Sequence, residues 1–207
     1  LLVLLFLAKA ALISLSGVLA PGPVTAATLA AAARSRHAGA LIALGHGIVE
    51  LPLIFIIVQG MGAIFRHERV TIGIALAGGA LLAIMGLQMF RDAARAADPA
   101  QASARGPLLT GVMLTAGNPY FLLWWATVGL TLASQALDLG GWAFVLFALV
   151  HWSCDLFWLE LLGLAGHKGA QIWSARTQKI IMQFCALALL FFGATFVVDA
   201  VRRLMAL

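Results

Sequence analysis

"SGVLAPGPVTAATLA", residues 16–30, lies in an N-terminal segment otherwise made of Leu, Ala, Val and Ile. Pro21, Gly22 and Pro23 interrupt it. Each proline removes a backbone donor and clashes with the preceding turn. In hydrocarbon such a break is costly unless protein or water satisfies the freed groups. The surroundings of this stretch therefore decide what the chain is.

Those surroundings are membrane-like. Of 207 residues, 63% are hydrophobic and only 10% charged, with a mean hydropathy of +1.03. A soluble domain is nearer half apolar and a quarter charged. The apolar runs are long and do not alternate, which excludes a β-barrel. The expectation is an all-α polytopic membrane protein with one transmembrane domain over 1–207. The opening "LLVLLFLAKA" lacks an initiator Met. Apolar character continues through Ala20, favouring a retained helix over a signal-peptide core.

A span needs about 20 apolar residues. Six are expected: roughly 1–33, 38–64, 71–90, 107–132, 141–165 and 179–201. "RDAARAADPAQASARG", 91–106, reads as a solvated connection dividing two halves, about 1–90 and 107–203. Eight basic residues (Arg34, Arg36, Arg91, Arg95, Arg105, Lys168, Arg176 and Lys179) fall on one side of this plan. Four fall on the other: Arg66, Arg69, Arg202 and Arg203. The bias places the first group in the cytoplasm and both termini outside. The same scatter, with no basic stripe or aromatic RNA motif, excludes nucleic acid as a partner.

The fourth span, "TAGNPYFLLWWATVG" at 115–129, is interrupted at Asn118 and Pro119, as the first is at Pro21, Gly22 and Pro23. Two breaks at matching positions of two three-span halves give a 3+3 inverted repeat, with discontinuous helices meeting near the midplane. Helix N-termini there attract anions.

The second span, "LIALGHGIVELPLIFIIV", carries His46 and Glu50; the fifth, "FALVHWSCDLFWLELLGL", carries His151 and Asp155. Both pairs have the form His-x-x-x-acid-Leu, and a spacing of four puts both side chains on one helix face. Ionisable groups at mid-membrane usually face a bundle interior or a water-filled path. Such carboxylates bind a cationic group or relay a proton, and histidine titrates near neutrality. The alternative is a site for a divalent metal made of His46, Glu50, His151 and Asp155. A structural hydrogen-bonded pair joining helices is the plainer reading of either pair alone.

Glu160 is about 180° around the helix from His151 and cannot share its face. It is expected to snorkel or to sit at an oligomer contact. Lys9 is expected to snorkel, and Asp199 to pair with Arg202 and Arg203. Trp124, Trp125, Trp152 and Trp158 lie too deep for interfacial anchors; they line a cavity or pack the bundle. Cys154 and Cys185 sit in apolar runs with no CxxC motif and read as small core residues. Nothing suggests an enzyme: HExxH, CxxC and nucleophile motifs are all missing. With no ATP-binding motif either, any active transport has to be gradient-driven, and no cofactor is expected.

"LSGVLAPGP", the Gly-rich second span after a short basic loop, and "GNPYFLLWWATVG" together resemble the LysE/RhtB family of amino-acid exporters over nearly the whole chain. The resemblance implies an exporter in a prokaryotic cytoplasmic membrane. Its usual cargo is amino acids, moved by a proton-driven or similar step, and a homodimer is compatible with it. It carries over to Pro21, Gly22, Pro23, Asn118 and Pro119. Tyr120 departs from the Lys that many members place after Asn-Pro. The substrate-binding set expected from all these arguments adds His46, Glu50, Trp124, His151 and Asp155. The wider superfamily is similar to several metal exporters.

Overall fold

Proline and glycine set where the helices begin. A computed structural model describes residues 1–19, 22–61, 67–94, 106–172 and 174–206, and all regular structure among them is helical. Helix α1 spans Leu2–Val18 and α2 Pro23–Ala32. Gly22 is extended and Pro23 is the first residue of α2, where a missing N–H costs nothing. Pro21 lies outside the described residues. Helix α3 covers Ala38–Ile56 and α4 Glu68–Ala94. Pro52 lies inside α3, which ends in a wide π-helical turn, Ile57–Met61, where Gly60 takes a φ of 90°. That left-handed backbone suits glycine.

Helix α5 spans Pro107–Ala116, α6 Pro119–Trp124 and α7 Leu130–Asp138. Asn118 caps α6: its side chain accepts from the amides of Tyr120 at 3.0 Å and Phe121 at 3.3 Å. A second π-helical turn, Trp125–Gly129, joins α6 to α7. Helices α8, Gly141–Ile172, and α9, Ala175–Leu204, are long and continuous.

Five stretches are long and apolar enough to cross a bilayer: 38–60, 68–91, 119–138, 141–172 and 179–204. Six spans are expected from sequence. The difference lies at the N-terminus, where the first expected span is two helices, each too short to cross alone. The fourth expected span is likewise divided, with short α5 preceding the apolar stretch from Pro119. Residues 91–94, expected in a solvated connection, extend α4; residues 95–105 lie outside the described residues.

Helix α4 packs along α9, and α3 is sandwiched between α5 and α8. Helices α1 and α2 both lean on α8. Lipid is as apolar as Leu, so such contacts depend on close fit between small residues. A Cβ on Gly111 would sit 2.2 Å from the Ile42 carbonyl oxygen; one on Gly45 would sit 2.1 Å from that of Leu108. Helices α3 and α5 thus touch backbone to backbone. Large apolar side chains such as Phe157, Phe184 and Phe191 point outward, as lipid contact requires.

Candidate translocation site

The close α3–α5 and α3–α8 contacts bring four ionisable side chains together. His46 and Glu50 face inward from α3, His151 and Asp155 from α8, and all four are buried. Glu50 is the centre, with no exposed surface. Its Oε1 lies 3.0 Å from His46 Nε2 and 3.2 Å from His151 Nε2. The indole N–H of Trp125 donates to the same oxygen at 3.1 Å. Asp155 stands further off. Its Oδ1 is 3.9 Å from His46 Nε2, and its Oδ2 is 3.9 Å from His151 Nε2.

The other nitrogen of each ring reaches a hydroxyl on a third helix. His46 Nδ1 lies 2.9 Å from Thr115 Oγ1 on α5, and His151 Nδ1 lies 2.7 Å from Ser14 Oγ on α1. Each ring also has an aromatic partner. Trp124 stacks on His151 with centroids 5.2 Å apart, and Phe121 meets His46 edge-on at 5.0 Å. Gly129 leaves room for the Trp125 indole, since a Cβ there would lie 2.3 Å from the ring.

These groups open onto one cavity of about 410 Å³. Gly22, Pro23, Asn118 and Trp124 line it together with the four ionisable residues. Pro119 is buried at the start of α6, outside the cavity wall. The volume falls in the ordinary range for small-molecule sites, roughly 300–1,000 Å³. Within it, Glu50 Oε2 and Asp155 Oδ2 are buried with no hydrogen-bond partner among the described residues. Buried polar atoms are nearly always paired, so two unpaired carboxylate oxygens mark a place where a donor or cation fits. Ligating atoms of His46, Glu50 and Asp155 also come within 4.8 Å of one another, close enough to share a metal ion.

Sequence reasoning singled out both His-acid pairs but missed Ser14, Thr115 and the Trp125 bond. The hydroxyls carried a weak signal: each lies shortly before a helix break, on the span preceding a His-acid span. Trp152 and Trp158 are not in the cavity wall; the Trp152 N–H donates to the Ala43 carbonyl at 3.0 Å, and Trp158 packs against the Ile42–Leu159 cluster. Glu160 neither snorkels freely nor stands apart. It accepts from the Ala40 amide at 2.8 Å and contacts His37 at 2.6 Å, so a carboxylate from α8 caps α3. Asp199 accepts from the Tyr120 hydroxyl at 2.9 Å, while Arg203 pairs with Glu68 at 3.2 Å. The expected pairing of Asp199 with its helix neighbours is replaced by this contact to α6, because the Tyr120 hydroxyl reaches across from α6. Lys9 is exposed on α1.

Comparison with known proteins places the chain in a family. The family model for LysE type translocators matches residues 15–200. The chain belongs to the LysE type translocator family. It is therefore a multi-pass membrane transporter of small solutes and not an enzyme. This LysE-type chain is also 30% identical, over 158 residues, to the chemotactic transduction protein ChpE of Pseudomonas aeruginosa. That match covers 61% of this chain and 78% of ChpE. No solved structure matches the chain.

Proposed function

We propose that the cavity around Glu50 is the translocation site of a gradient-driven exporter in a bacterial inner membrane. Its cargo is amino acids or related small polar solutes, exchanged for protons. The observation that carries this reading is the convergence of two carboxylates and two imidazoles, buried, on one cavity. Buried membrane carboxylates with histidine partners typically carry ions or protons. Asp155, whose Oδ2 accepts no hydrogen bond among the described residues, receives the substrate's ammonium group. The substrate's carboxylate meets the start of α2. There Val24 and Thr25 line the cavity, and Gly22 offers no side-chain cap to compete. The start of α6 is less suited, because Asn118 already satisfies its first amides.

The two breaks, the two His-acid pairs and the hydroxyl supplied to each ring from the opposite half support an inverted repeat. Residues 1–90 and 107–203 form its halves within one domain. Rocking of the halves about the cavity alternates access. The basic-residue bias supports termini outside the cytoplasm.

One observation favours a second reading, export of a divalent metal. The closeness of His46, Glu50 and Asp155 suits such an ion. Thermal unfolding of purified protein against both ligand classes separates the two readings. A ligand that binds the folded state raises Tm by mass action. Amino acids raising Tm in wild type, but not in Asp155→Asn, support the first reading. A rise with Mn, Zn or Cd that is lost in His46→Ala supports the second.

A further inference from the structure

Ser14 and Thr115 each hold a position that fixes where the protons of the site lie. Ser14 Oγ is 2.7 Å from the Ala10 carbonyl oxygen and 2.7 Å from His151 Nδ1. Thr115 Oγ1 is 2.7 Å from the Gly111 carbonyl oxygen and 2.9 Å from His46 Nδ1. A hydroxyl carries one proton and a carbonyl carries none. At 2.7 Å the hydroxyl's proton must lie towards the carbonyl, because two bare oxygens that close repel. The hydroxyl therefore has only lone pairs for the ring, and each ring must donate from Nδ1. All four residues are buried, so these short contacts dominate the surroundings of each hydroxyl.

From this geometry we infer that Ser14 and Thr115 are positioning residues that lock both imidazoles with a proton on Nδ1. Each ring's Nε2 is then its single exchangeable position. Both Nε2 atoms face the same Glu50 oxygen, at 3.0 and 3.2 Å. A hydrogen bond across either gap needs a proton between nitrogen and oxygen, and neither Nδ1 proton can supply it. The Nε2 positions thus meet at Glu50, in the space a cation from the cavity would enter. Around the rings the polar groups divide by helix. Glu50 on α3 and Asp155 on α8 are the acids, Trp125 is a donor to Glu50, and α1 and α5 bring only hydroxyls. Helices α1 and α5 thereby set the chemistry of rings borne by α8 and α3. Motion of either short helix would release a ring and redistribute the protons. This role in transport rests on the cavity being the translocation site; the tautomer itself does not.

The test is nitrogen NMR of the full chain in lipid nanodiscs with ¹⁵N-labelled histidine and no substrate. The chain has five histidines, and His46→Gln and His151→Gln identify the two signals of interest. Both rings are expected to show a protonated Nδ1. Ser14→Ala should abolish that signature for His151 alone, and Thr115→Val for His46 alone. Ser14→Thr and Thr115→Ser should retain it. A wild-type ring with a bare Nδ1, or signals unmoved by Ser14→Ala and Thr115→Val, overturns the inference. Because no substrate is present, this result is independent of the transport reading, which fails separately if Glu50→Gln transports normally.

Discussion

Glu50 is the residue on which the site turns. A fully buried carboxylate is tolerated only where donors surround it. Here three ring nitrogens converge on one oxygen: the Trp125 indole, which donates, and the two imidazole Nε2 atoms. Removing the indole leaves Glu50 one donor short. Trp125→Phe should lower Tm by the equivalent of roughly 1.5–3 kcal/mol, the usual worth of a hydrogen bond to a charged group. Gly129→Ala should act through the same atom, because its Cβ would displace the Trp125 ring. Combined in a thermal-unfolding double-mutant cycle, the two should cost clearly less than their sum. Additive losses would show that Gly129 acts elsewhere. At this scale the sequence was partly legible. A spacing of four declares that His46 shares a face with Glu50, and His151 with Asp155. No periodicity announces that Ser14 or Thr115 meets a ring, because that depends on which helices pack together.

Among the elements, α3 carries the site and is held by close contacts on two sides. On the α5 side, Gly111→Ala would put a Cβ 2.2 Å from the Ile42 carbonyl. The helices must part, drawing Thr115 off His46, and Tm should fall by several degrees with loss of transport. Gly73→Ala on α4 is the control: nothing lies within 4 Å of the added carbon, and Tm should hold or rise slightly. On the α8 side, Glu160 caps α3 through the Ala40 amide. Glu160→Ala should cost about 1 kcal/mol, as a lost cap does, read as a lower Tm. That α2 and α6 each begin at a proline was readable in the sequence, since proline cannot continue a helix and favours its first turn. What the sequence could not show is that the two helices flanking Gly22 are both too short to cross alone, or that Glu160 spends its charge on α3. Hydropathy averages over a window, and a cap lent by a distant helix leaves no local trace.

For the whole molecule, composition was decisive. An exterior rich in Leu and Phe, with few charges, can face only lipid, and the family match agrees. The basic residues predict an orientation that can be checked directly. In intact cells, an impermeant thiol reagent should label Asp138→Cys and spare Ala33→Cys; the reverse pattern would invert the topology. Tyr120 links α6 to α9 through Asp199. This contact ties the α4–α9 pair to α6 at the cavity, so Tyr120→Phe should slow transport without changing the cargo. The central claim is that the Glu50 cluster moves the substrate. The most direct measurement is proton flux in proteoliposomes loaded with a pH-sensitive dye and challenged with the standard amino acids and with Mn, Zn and Cd. Wild-type protein should exchange protons for at least one of these. Glu50→Gln and Asp155→Asn should each abolish that exchange while unfolding cooperatively like wild type. Wild-type flux in both variants would contradict the account.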